Sequence, residues 1–396
     1  MKNQFFTRVL WLSMFYNIDF ASQTQPQNSR ISGRNSRKGG FRQAKAMVIN
    51  MKHVIHTTDC FHPHNDPDDH FDLALQYALA AAGTIDLSGV IIDHPARSQG
   101  GPYAPAVNAC AQLSMLSAVT VPVTVGAAVG TRCIGDTLDD LGIHGTRGAD
   151  EILRILRRNP EKTALIMVGE CSDIAAAVSK DPALFREKCS GIYLVAGTAE
   201  HPDGIEREWN VMCGRAAYIT VMRAPCPVYW CPCFQALGEG DHYFGEHNFG
   251  ENSGLFFEQQ GPLFDAMSPR LRAFFSYMFE KSADPLWLDA LEQNELSDAY
   301  HAETGQMRRF YSTTAILHAA GLSSDRGGQL IPAEDARAVF SYVPVSADCD
   351  IDGVVSWTYT ETPDPDAPRY ILRITDDPHF GGAMMQAMTD AYRVLQ

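Results

Sequence analysis

The stretch from Asp59 to Asp72 gathers more reactive side chains than any other part of the chain. It carries Asp59, Asp66, Asp68, Asp69 and Asp72, with His62 and His64 between them. Carboxylates this dense repel one another unless a cation compensates them or their pKa values rise. Oxygen donors outnumber imidazoles, which suits a hard divalent cation such as Ca²⁺ or Mg²⁺ better than zinc. A solvated acidic loop is the plain alternative, and the place of the loop in the fold separates the two.

That place follows from the flanking elements. Residues 53–58 read as a strand, and 71–82 as a helix with Leu73, Tyr77 and Ala80 on one face. Strands at 85–92, 121–125, 163–168, 192–196 and 227–230 then alternate with helices at 106–118, 150–158, 173–178 and 211–222. Such alternation predicts an α/β fold: a mainly parallel open sheet with helices on both faces. In such a sheet ligands bind at the carboxyl ends of the strands, where the Asp59 loop begins. Residues 339–345, 353–360 and 370–375 read as further strands and 382–395 as a closing helix. The expected organisation is therefore a main α/β domain over 51–334 and a small β-rich extension, 335–396, packed on it as a subdomain or as added edge strands.

Composition narrows the partners. The 396 residues are 45% hydrophobic and 20% charged, enough apolar material for a large core. A net charge of −15 argues against nucleic acid or an anionic membrane as the main partner and leaves a small neutral ligand or a bound cation. No run reaches the roughly 18 apolar residues of a membrane span. Residues 23–45 hold six basic and no acidic residues, so 1–50 are expected to be disordered, or to precede a start at Met47 or Met51. The short apolar run from Val9 to Tyr16 would mark export; the favoured location is the cytoplasm. The ten cysteines read as buried free thiols, and Cys226, Cys231 and Cys233 lack the Cys-x2-Cys spacing of a zinc site. Gly240 to Phe249 reads as a surface loop, as an aromatic lid over a flat ligand, or as a second metal site. Assembly into a homo-oligomer is compatible with all of this.

Several segments together resemble the inosine-uridine preferring nucleoside hydrolase family. Thr58-Asp59, Asp68-Asp69 and Leu73-Ala74-Leu75 resemble its amino-terminal Asp-Thr-Asp-Pro-Gly-x-Asp-Asp segment and the Ala/Leu-rich helix behind it. In the same order follow Val121–Ala127, similar to its Pro-Val-x-x-Gly-Ala strand, and Ile143-His144-Gly145, similar to its His-Gly loop. Met167–Ala175 resembles Thr-Gly-Pro-Leu-Thr-Asn-Ile-Ala, and Glu208-Trp209-Asn210 with Arg215-Ala216-Ala217 resembles Glu-Phe-Asn and Glu-Ala-Ala. The resemblance spans about residues 53–234.

It implies a metal-dependent hydrolase of the N-glycosidic bond of a ribonucleoside, with Ca²⁺ as the cation. Asp59 would bind the metal and take a proton from water; Asp69 and the Val168 main-chain carbonyl would complete the metal ligands. Asp68, Glu208 and Asn210 would hold the ribose, and His144 would touch the ligand. Three features depart from the family pattern. The loop between Asp59 and Asp68 is longer, Thr57 replaces the first aspartate, and Arg309–Ala315 lacks the family's late His-Asp pair. Divergent, nucleoside hydrolase-like members share the Thr-Thr-Asp arrangement. The leaving-group acid is thus unassigned, and the alternative function is a catalytically weak relative that binds a nucleoside or sugar-like ligand. A metal phosphohydrolase is disfavoured by the scarcity of basic residues near the motif.

Overall fold

Apolar strands one or two turns of chain apart from amphipathic helices assemble, in the computed structural model of the protein, into a sheet of nine strands. The structure describes residues 51–60, 67–93, 103–199, 208–233, 251–280, 282 and 284–396. The expectations for residues 1–50, for His62, His64 and Asp66, and for the loop from Gly240 to Phe249 lie outside the described residues.

The strands are β1 (Lys52–Thr58), β2 (Ile85–Ile92), β3 (Val123–Val125), β4 (Thr163–Met167), β5 (Cys189–Val195), β6 (Val228–Cys231), β7 (Phe256–Gln259), β8 (Met307–Phe310), β9 (Leu322–Ser324), β10 (Leu330–Pro332), β11 (Phe340–Cys349), β12 (Val355–Tyr359) and β13 (Arg369–Ile374). The helices are α1 (Asp68–Ala81), α2 (Ala104–Ser117), α3 (Ile143–Arg158), α4 (Ser172–Lys180), α5 (Pro182–Lys188), α6 (Trp209–Cys213), α7 (Arg215–Met222), α8 (Gly261–Ala266), α9 (Pro269–Phe279), α10 (Asp298–Thr304), α11 (Thr313–Ala319) and α12 (Asp377–Tyr392).

The sheet runs β12-β11-β13-β6-β5-β4-β1-β2-β3. From β6 to β3 every pairing is parallel, as the alternation predicts. The C-terminal strands continue this sheet: β13 joins β6 in parallel, and β11 and β12 follow antiparallel at the edge.

Because successive strand residues face opposite sides, a sheet covered twice needs apolar residues at consecutive positions. Val54, Ile166 and Val195 enter one core with Phe71 of α1, Leu113 of α2, Phe275 of α9 and Met384 of α12. Their neighbours Ile55, Leu165 and Leu194 enter the other, with Ile152 of α3, Ala176 of α4 and Val221 of α7.

Several expected boundaries move, two of them near the crevice. Helix α3 begins at Ile143, so His144-Gly145 lies in its first turn rather than in a loop. The single helix expected over 211–222 is two helices broken at Gly214, where an added Cβ would overlap the Glu170 carboxylate. The elements between β6 and β11 have no counterpart in the periodicity reading. Among them, Phe264, Phe275 and Phe310 pack around Phe71 with ring centroids 4.5 to 5.6 Å away, which anchors this region to α1.

Candidate active site

Strand order reverses at β1, which has β4 on one side and β2 on the other; such a switch point opens a crevice beyond the carboxyl ends. Register determines what lines it. Thr58 pairs with Ile92 and Thr57 with Met167, so one residue further Asp59 lies between Asp93 and Gly169. The Asp93 N–H donates to the Thr58 carbonyl at 2.8 Å, and the Val168 N–H to the Thr57 carbonyl at 3.2 Å, which holds the three chain ends side by side. Neighbouring strands are about 4.8 Å apart, so two carboxylates at matched positions crowd each other. Gly169 makes the crowding possible: a Cβ there would lie 2.7 Å from Asp93 Oδ2, 2.8 Å from Asp59 N and 2.9 Å from Asp59 Cβ.

Helix α1 points its first turn into the same place. Asp68 and Asp69 occupy that turn, where carboxylates are favoured by the helix dipole, and the Asp69 N–H donates to Asp68 Oδ1 at 3.0 Å. Both are only 7% exposed, and Asp59 4%. Asp59 shares a side-chain hydrogen bond with Asp69. Burial pushes the Asp59 carboxyl well above the usual carboxylate range, helped by the nearby Asp93 and Asp68 charges and opposed by the Asp69 hydrogen bond.

Asp93 is the most isolated of the group. It is 1% exposed, and neither oxygen has a hydrogen bond of normal geometry; the Glu170 N–H leans toward it without closing one. Burial raises its pKa strongly, with the Asp173, Glu170 and Asp69 charges adding to the effect. Glu170 itself is pushed up to about 7 by burial, against hydrogen bonds from the Ser172 N–H at 2.8 Å and hydroxyl at 2.6 Å. Asp173 also rises to about 7 by burial, opposed by the Ala127 N–H at 3.0 Å and by Arg147.

Glu208 and Asn210 act on the backbone. Glu208 is the N-cap of α6 and accepts from Asn210 N at 3.1 Å, Val211 N at 2.9 Å and Gly197 N at 2.9 Å. Its carboxyl is raised by burial, with those three N–H groups opposing. The Asn210 amide donates to the Val168 carbonyl at 3.1 Å and the Val195 carbonyl at 3.0 Å, tying the ends of β4 and β5 together. His144 is exposed in α3, in contrast to the buried carboxylates.

The structure thus brings Asp59, Asp68 and Asp69 together beside Val168, and adds Asp93 and Glu170, which the sequence reading left unassigned. The signal for Asp93 was available: it follows the 85–92 strand as Asp59 follows the first. At the late segment, the Ser312 hydroxyl donates to Asp72 of α1. All ten cysteines are free thiols, and Cys226, Cys231 and Cys233 are buried.

The donor set suits an oxygen-seeking cation: buried carboxylates that raise one another's pKa, one of them without a hydrogen-bond partner, beside a main-chain carbonyl. Among the described residues no three such side chains already converge tightly enough to hold a metal ion, and Asp59 and Asp69 share a side-chain hydrogen bond.

Residues 58–282 match the profile of the family described as inosine-uridine preferring nucleoside hydrolase. No curated protein matches the chain. Solved structures similar to it include a purine-preferring ribonucleoside hydrolase from Gardnerella vaginalis, 15% identical, TM-score 0.49, over 87% of this chain and 100% of that one. The inosine-uridine preferring nucleoside hydrolase from Bacillus anthracis is 12% identical, TM-score 0.45, over 86% and 100%. A type III effector protein, XopQ, complexed with adenosine diphosphate ribose, is 15% identical, TM-score 0.46, over 87% and 95%. With more than half of its residues inside the profile match, the chain belongs to the inosine-uridine preferring nucleoside hydrolase family.

Proposed function

We propose that the protein hydrolyses the N-glycosidic bond of a ribonucleoside, releasing base and ribose, with a divalent cation, Ca²⁺, held by Asp59, Asp69 and the Val168 carbonyl. The observation that carries this reading is the convergence of buried Asp59, Asp68 and Asp69 at the switch point of the sheet. A cation bound there supplies acidity to water, bringing its deprotonation into reach near neutral pH.

Asp59 accepts that proton, a general-base role that contributes about 10²–10⁴ in rate. The base departs with the bonding pair and is protonated from solvent, leaving a sugar of oxocarbenium character whose positive charge the carboxylates of Asp68 and Asp69 stabilise. Asp68 accepts from a ribose hydroxyl. Asn210, whose amide hydrogens are committed to Val168 and Val195, offers its Oδ1 to another. Glu208 keeps Asn210 in position by capping α6.

The test is release of base from purine and pyrimidine ribonucleosides by the full chain with calcium present. Turnover on at least one is the expected result. Inactivity on all of them by a folded, calcium-bound protein would leave the weak relative that binds a nucleoside or sugar-like ligand.

A further inference from the structure

Arg309–Ala315, the segment that resembles the family's late His-Asp pair, carries no aspartate, yet a cation such as Ca²⁺ takes six to eight oxygen ligands. Asp59, Asp69 and the Val168 carbonyl leave that shell short. Helix α11, which begins at Thr313, brings no carboxylate, and Ser312 before it is engaged with Asp72.

Asp93 meets the need by position. Parallel register sets it beside Asp59 at the carboxyl end of β2, its backbone N–H fixed on the Thr58 carbonyl at 2.8 Å. Its Oδ2 and the Asp59 Cβ crowd the same side of Gly169, both within 2.9 Å of the point where a Cβ would stand. Both its oxygens are buried and lack a well-formed hydrogen bond, a state that native proteins avoid unless the group has a further partner. Leaving a carboxylate in that condition costs folding stability, and a cation removes the cost while keeping the group ionised, where a proton would neutralise it.

We propose that Asp93 is a third carboxylate ligand of the cation, supplied by the β2 end in place of the aspartate that the late helix lacks. This rests on the reading of Asp59 and Asp69 as cation ligands. With three carboxylates drawn from β1, α1 and β2, the cation would be held entirely by the amino-terminal half of the sheet, and α11 would be released from any part in binding it.

The experiment is calorimetric titration of Ca²⁺ into the chelator-treated full chain, wild type and Asp93→Asn, with the rise in thermal midpoint on adding Ca²⁺ as second readout. The expected result is weakening by more than about tenfold in Asp93→Asn, since even outer partners of ligands cost that much when lost. In chelator, the same variant should melt at or above the wild type, because an unpartnered buried carboxylate is gone. Asp93→Ser serves as the second variant should the amide not fold. Equal Ca²⁺ affinity in wild type and variant overturns the role of Asp93 and leaves the Asp59–Asp69 site standing. Absence of Ca²⁺ binding in the wild type overturns both, and so is told apart from the first failure.

Discussion

The strands around β1 end in two different chemistries. Toward their amino ends several polar groups form a hydrogen-bonded network. His53 Nδ1 meets Asp86 Oδ2 at 2.6 Å, the Ser88 hydroxyl donates to the same oxygen at 2.7 Å, and the Asn159 amide reaches Ser88 and Thr163 at 3.0 Å each. Tyr193 and His318 are bonded at 2.8 Å nearby. At the carboxyl ends of the same strands, Asp59 and Asp69 share a side-chain hydrogen bond, and neither oxygen of the buried Asp93 has a well-formed one. Buried polar groups are normally satisfied, so the amino end shows what this fold does when stability alone governs. Among the described residues, the carboxyl end departs from that rule at Asp93, beside the crevice that the sheet opens. A buried carboxylate without a well-formed hydrogen bond there, Asp93, marks function better than the density of aspartates does.

The comparison breaks most sharply at Asp59. Asp59→Asn should lower turnover of a responsive nucleoside by about 10²–10⁴ while leaving the thermal midpoint in chelator unchanged or higher. Base release and thermal melting measure the two halves. A variant with wild-type turnover would remove the distinction between the two ends.

Gly169→Ala tests whether the crowding is built in. The new Cβ would press on Asp93 Oδ2 and the Asp59 backbone, which sit in a β4–β1–β2 register that has little room to shift. Overpacking of this kind costs about 1–3 kcal/mol. The midpoint gained on adding calcium should shrink with it. Gly305→Ala, where a Cβ would meet nothing within 4 Å, is the control and should change stability by less than about 0.5 kcal/mol.

Much of this site was legible before the structure because its signals are local. An apolar strand followed by Asp59, and a first helical turn bearing Asp68 and Asp69, can be read in order along the chain. Asp93 was equally adjacent to a strand, but a lone aspartate has no density to flag it, and its neighbour across β1 depends on register. Glu208 shows the converse. Motif matching put it on the ribose, whereas its carboxylate caps α6 through backbone donors that include Gly197, which only folding brings near. The parallel sheet from β6 to β3 followed from alternation, but the attachment of β13 to β6 is a long-range pairing that periodicity cannot encode. From β6 to β11 the helices are short and rich in phenylalanine on several faces, and their packing on Phe71 sets their place more than any repeat does.

The smallest expected effect is a difference in how the two ends respond to acid. His318 is held neutral by burial, its pKa lowered from 6.5 to about 4. Its contribution is intact above 6.5, the unfolded value, and is lost as pH falls toward 4, because the unfolded chain then binds a proton that the folded one refuses. At pH 5.5 the loss is about 1 kcal/mol. Asp173 has the opposite sign: burial raises it to about 7, so the folded chain takes up a proton first and gains stability as pH falls from 7 toward 4. Melting from pH 7.5 to 5 should therefore decline less steeply in His318→Gln than in wild type, and more steeply in Asp173→Asn. Curves for the two variants that shift in the same direction would mean that the ends of the sheet do not differ in their handling of charge.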